Sequence, residues 1–169
     1  MQSGMARHFR ELMVWQLAMA LSEEVYRLIR TTSARRDFSF RDQLTEAVSG
    51  IASNIADGFP RGALDFGRLV TYSRACLTET ESWLEDGVLR GHWRSADISN
   101  AKVLVRRLTP ALRELVSYLQ SPEAQRRSRL FRMRQADARS LAPPPAPPSA
   151  QIASAEPAEP EEPGNLFRS

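Results

Sequence analysis

The chain has 169 residues, with 23 basic and 20 acidic side chains and a formal net charge of +3, which suits one domain with extensions and a buried core. Its only cysteine, Cys76, excludes an intrachain disulfide and a cysteine-based metal site. No run approaches the ~18 apolar residues of a membrane-crossing helix, and MQSGMARHFRE lacks the apolar stretch of a signal peptide, so a cytoplasmic protein without membrane contact is expected.

The first element is a helix over about Arg10–Arg30. Trp15, Ala18, Leu21 or Ser22, Val25, Leu28 and Ile29 recur at three- and four-residue spacing on one face. The polar segment Thr31–Phe40 reads as a loop. A second helix over about Arg41–Asp57 turns Leu44, Ala47 or Val48, Ile51 and Ile55 inward, and Gly58 is expected to close it in the left-handed conformation. Gly58, Pro60 and Gly62 mark the break. A third helix, about Ala63–Leu89, carries the seam Phe66, Leu69, Val70, Ser73, Cys76 or Leu77, Thr80, Trp83 and Leu84, and Gly91 ends it. A fourth is expected to start near Ser95 or Asp97, either of which could cap it. Ile98, Ala101, Val105, Leu108, Leu112, Leu115 and Leu119 form its seam, and Pro110 should kink it.

Strand-period alternation is absent. The expected fold is therefore all-α, an antiparallel up-and-down four-helix bundle over residues 9–120. Ser121-Pro122-Glu123 is a helix-start signal and opens a basic arm over residues 121–142. Net charge is +2 over residues 1–120, +4 over 121–142 and −3 over 143–169. Eight of the eleven prolines lie between Pro143 and Pro163, which predicts a disordered, partly polyproline II tail. Leu166 and Phe167 restore apolar character at its tip.

No catalytic constellation emerges. Neither His8 nor His92 has a glutamate three residues before it, so the Glu-x-x-His pair of di-iron bundles is missing. The segment Gly58–Gly62 lacks the ending of a phosphate-cradling loop, and no cofactor or metal is expected. Cys76 sits at core spacing and reads as a small hydrophobe rather than a reactive thiol.

Polar residues within the helices read first as structural. Asn54, mid-helix, needs a partner: another helix, a neighbouring subunit or a ligand. Asp57 sits where the helix dipole disfavours an anion, so a partner such as Arg61 or Arg68 is expected. Trp15 and Trp83 follow core periodicity. Trp93, in the polar turn GHWR, either stacks on a nucleobase, covers a bundle end or enters a subunit contact.

Two groups of arginines remain. Twenty-two of the 23 basic residues are arginine, Lys102 being the exception, and guanidinium forks suit planar anions. Arg106, Arg107 and Arg113 flank the fourth seam and read as a solvated face or a phosphate contact. Arg126, Arg127, Arg129, Arg132, Arg134 and Arg139 are opposed only by Glu123 and Asp137 in the arm. That density suits nucleic acid, with an acidic protein surface or mere solubility as alternatives.

FRELMVWQLAMALSEEVYRL, Phe9–Leu28, followed by RDQLTEAVSGIASNIADGF, Arg41–Phe59, resembles the small bacterial four-helix-bundle proteins first recognised as products of intervening sequences in 23S ribosomal RNA genes. The accessory proteins of diversity-generating retroelements are similar in fold. The resemblance spans roughly residues 9–120. It implies a homo-oligomer, typically a pentamer with a central channel, without enzyme activity. From the retroelement proteins it further implies binding to structured RNA and to a reverse transcriptase. Where the family usually has basic residues after Gln43-Leu44, this chain has Thr45 and Glu46. Its usual serine after the Arg61 turn is Ala63 here, which removes a hydroxyl cap worth about 1 kcal/mol unless Gly62 substitutes. Two functions follow from different classes: a nucleic-acid-binding accessory protein, or an oligomeric protein-interaction adaptor whose tail docks Leu166 and Phe167 on a partner.

Overall fold

The computed structural model describes residues 6–141, with side chains to residue 134. Among them are five α-helices, two short 3-10 helices and no strand. Helix α1 is Met13–Thr31, α2 Phe38–Gly58, α3 Ala63–Leu89, α4 Ser99–Gln120 and α5 Pro122–Leu141. Helix α1 packs against α2 and α4, α2 against α3, and α3 against α4, so four long helices share one core, while α5 touches α3 and α4. The core is aliphatic, with Leu21, Val25, Leu44, Val48, Ile51, Ile55, Leu108 and Leu112 fully enclosed.

Helix boundaries depart from the periodicity where a polar side chain decides the start. Thr31–Phe40 is not a plain loop. Ser33–Arg36 forms a 3-10 turn, and Asp37 Oδ1 accepts from the Phe40 N–H at 3.2 Å, so α2 begins three residues earlier than its apolar seam suggests. Neither Ser95 nor Asp97 caps α4, which starts at Ser99 behind Ile98. Asp97 instead turns back to accept from the Arg94 N–H at 2.9 Å. Helix α4 runs through Pro110 as one helix.

Gly58 does not adopt the left-handed conformation; among the described glycines only Gly91 does, at φ 74°. Gly58 is needed for space: a Cβ there would strike the Phe66 ring and come within 3.3 Å of Leu69 Cβ. At Gly50 a Cβ would stand 2.9 Å from Cys76 Sγ. These two glycines let α2 and α3 approach closely, and Ser73 Oγ then donates across the contact to the Ile51 carbonyl at 3.0 Å.

Trp15 and Trp83 pack against the core from its margin, as their spacing suggests. Both are half-buried, because on α1 the inward stripe is Val14, Leu17, Ala18 and Leu21. Trp15 lies one residue round from it and packs edge-on against Phe9 at 5.3 Å. Val116, not Leu115, completes the α4 seam. No helix among the described residues is long and apolar enough to cross a membrane. The tail 143–169, including Leu166 and Phe167, lies outside the described residues.

Candidate nucleic-acid interface

Helix α5 forms because Ser121 Oγ accepts from the Ala124 N–H at 3.2 Å, Pro122 needs no donor at the first helical position, and Glu123 meets the positive end of the dipole. One face is docked. Ala124 is buried, Gln125 and Ser128 are half-buried, and Ser128 Oγ accepts from the Ala63 N–H at 3.1 Å. Helix α3 has no side-chain cap of its own at Gly62, so the hydroxyl that Ala63 lacks arrives from α5. Gly62 admits this approach: a Cβ there would lie 3.3 Å from Arg132 Cζ.

Between the start of α3 and α5 lies an open cleft of about 160 Å³, lined by Gly62, Ala63, Leu64, Asp65, Gln125, Ser128, Arg129 and Arg132. Arg126, Arg127, Arg129, Arg132 and Arg134 are all exposed. Arg127 pairs with Glu123 at 2.8 Å; the other four have no carboxylate partner among the described side chains. At 100° per residue, Arg126, Arg129 and Met133 point away from Ala124, while Arg127 and Arg134 share a flanking stripe with Leu130 between. Leu130 and Met133 are 51% and 63% exposed, so the outward side of α5 mixes arginines with uncovered apolar groups.

Arg106, Arg107 and Arg113 are exposed on α4 and have no ion pair among the described residues. They do not line the α3–α5 cleft, so the structure brings together Arg129 and Arg132 but does not join the α4 arginines to them there. Lys102 is engaged with Glu85 at 2.7 Å, tying α4 to α3.

The stacking reading of Trp93 is overturned. Its ring is 4% exposed, and Nε1 donates to the Leu84 carbonyl at 2.9 Å. A Cβ at Gly87 would strike the ring. Trp93 thus seals one end of the core with Phe40, whose ring centroid is 5.5 Å from it and 5.6 Å from Trp83. The sequence reading missed what fastens this end. His92 Nδ1 meets Ser33 Oγ at 3.0 Å and Nε2 meets Asp37 Oδ2 at 3.1 Å. Arg90 stands 3.5 Å from the same carboxylate. Asp37 is held below the usual carboxylate range by the Phe40 N–H first, then by His92 and Arg90. With Asp37 engaged by the α2 cap and Arg90, and Phe40 against the imidazole at 4.7 Å, this Ser-His-Asp row locks the α1–α2 connection to the α3–α4 connection.

Other sequence candidates have local partners. Asn54 Nδ2 donates to the Gly50 carbonyl of its own helix at 2.8 Å and reaches Cys76 Sγ on α3 at 3.8 Å. Asp57 pairs with Arg61 at 2.9 Å on an exposed edge. Burial raises the Cys76 thiol above its ordinary value, the direction that disfavours the thiolate. A pair at a buried edge went unnoticed in the sequence: Arg27 grips Glu24 with two bonds of 2.8 and 2.7 Å, and the Glu24 pKa is lowered, by Arg27 foremost. Among the described residues no group of three or more His, Cys, Asp or Glu gathers to hold a metal ion.

An all-helical domain in which four long helices share one core, extended by an arginine-bearing fifth, defines the class. The chain belongs to the 23S rRNA-intervening sequence protein family, whose model matches residues 10–114. Helix α5 lies wholly beyond that match. A search of curated proteins returns no match.

Proposed function

We propose that this protein is a non-enzymatic, cytoplasmic accessory protein that binds structured RNA, built as a homo-oligomer of antiparallel up-and-down four-helix bundles. The exposed arginine face of α5 is the observation that carries the reading. Four of its five described arginines have no carboxylate partner among the described side chains, and guanidinium groups on a rigid helix suit phosphate oxygens. The family description associates its members with 23S ribosomal RNA intervening sequences, which favours RNA over DNA. The resemblance to retroelement accessory proteins adds a reverse transcriptase, or another RNA-handling protein, as the companion. A ring, typically of five, would repeat the α5 face around its circumference and turn modest single contacts into multivalent binding.

Phosphate contact without base reading makes affinity steeply salt-dependent, with a log–log slope of about −0.7 to −0.9 per phosphate neutralised. Arg126, Arg129 and Arg134 are the residues to change, since Arg127 is paired with Glu123 and Arg132 packs at Gly62. Arg126→Gln, Arg129→Gln and Arg134→Gln together should weaken RNA binding and flatten the salt slope by about two to three units per engaged protomer, with melting temperature unchanged. Unaltered affinity and slope would transfer the role to Arg106, Arg107 and Arg113.

A further inference from the structure

The outward side of α5 presents an unusual pairing for an exposed helix: Arg126, Arg129 and Arg134 without carboxylate partners among the described side chains, beside Leu130 and Met133, which are 51% and 63% exposed. The same chain carries the complementary set. Glu156-Pro157, Glu159-Pro160 and Glu162-Pro163 recur every three residues, Glu161 adds a fourth acid, and Leu166-Phe167 follow. We infer that the arginine side of α5 is the docking surface of this Glu-Pro segment, residues 156–167, which competes there with phosphate.

Three observations support the match. First, charge is complementary: residues 143–169 carry −3 against +4 over residues 121–142. Second, spacing agrees. A polyproline II chain has three residues per turn and rises ~3.1 Å per residue, so glutamates at every third position line one side about 9.3 Å apart. Arg126 and Arg134, the outer members of the set without carboxylate partners among the described side chains, are about 12 Å apart along the α5 axis, a difference that the long arginine side chains absorb. Third, the segment reaches. Arg126 lies about 22 Å back along the helix from Leu141, while the stretch from Leu141 to Glu156 spans up to about 46 Å when extended. Attachment to the same chain raises the local concentration of the segment to the millimolar range, so weak exposed ion pairs suffice to occupy the face part of the time. Proline after Glu156, Glu159 and Glu162 keeps the segment from forming a competing helix.

The consequence for RNA rests on the function proposed above; the contact itself does not. RNA must displace the glutamates, so apparent affinity falls by the fraction of protein whose face is covered. The test uses the full chain with Glu156, Glu159, Glu161 and Glu162 changed to Gln. In ¹⁵N-labelled protein, the arginine Nε–H signals of Arg126–Arg134 should differ between parent and variant at low salt, and the difference should vanish near ~1 M salt. A fluorescent RNA hairpin should bind the variant about 3- to 10-fold more tightly at about 50 mM salt. That gain should disappear when Arg126, Arg129 and Arg134 are also changed to Gln. Superimposable arginine signals in parent and variant overturn the inference, whatever RNA does. Shifted signals with no RNA bound by either protein uphold the docked segment and overturn the RNA reading of α5 instead.

Discussion

Trp93 satisfies two demands with one side chain: it fills the end of the core above Gly87, and its N–H occupies the Leu84 carbonyl. Trp93→Ala should therefore lower stability by about 3–5 kcal/mol in urea unfolding, a buried-tryptophan value, whereas Trp15→Ala and Trp83→Ala should cost roughly half as much because their rings are half in solvent. Equal losses at all three positions would mean that Trp93 is not the closure of this end. Asp37 beside it sets a pH dependence. Its folded pKa is depressed, so its contribution is present above the ordinary carboxylate pKa of about 3.9 and is lost as pH falls through the folded value. Asparagine can still cap α2 but carries no charge for His92 and Arg90. The melting-temperature gap between parent and Asp37→Asn should be fully open above about pH 5 and shrink as pH falls below the ordinary carboxylate value of about 3.9. A gap that is constant across that range would leave only the cap.

Helix α3 begins without a cap from its own sequence, and α5 supplies it through Ser128. Ser128→Ala should cost about 1 kcal/mol, the ordinary worth of a hydroxyl cap. Adding Gly62→Ser should restore it, because Gly62 has the extended backbone of a capping residue, φ −67° and ψ 158°, and the Arg132 end is free to swing aside. Thermal unfolding of the single and double variants checks this; a silent Ser128→Ala would remove the cap. The helices themselves were legible in the sequence. Leu44, Val48, Ile51 and Ile55 sit at helical spacing, and all four are fully buried. Ser121-Pro122-Glu123 announced α5 in the same way, because a helix start is a local event. What stayed hidden depends on residues far apart. Ser128 and Ala63 are 65 positions apart, and the burial of Trp93 follows from a gap at Gly87 that no periodicity marks. The arginine cluster of α5 was visible as composition. Its division into docked and outward sides was not, since that needed the position of Ala124 against the bundle.

At the scale of the whole molecule, four helices of 19 to 27 residues already enclose a core, so the self-association proposed above would rest on surfaces other than that core. Exposed Leu64, Tyr72 and Leu89 on α3 and Val103 and Tyr118 on α4 offer such surfaces. We predict a closed homo-oligomer, and light scattering should give a mass near five times the 19.0 kDa chain, about 95 kDa for a five-fold ring; a single species of one chain's mass at micromolar concentration would sink the ring. The Ser128 hydroxyl also ties two stretches of the gene together. Within the family, the start of the third helix and the presence of a fifth should be inherited as a pair. A lineage whose chain stops soon after the fourth helix should regain Ser, Thr, Asp or Asn at the positions of Gly62 or Ala63. One that keeps the fifth helix is free to lose it, so an alignment of relatives sorted by length should separate into those two groups.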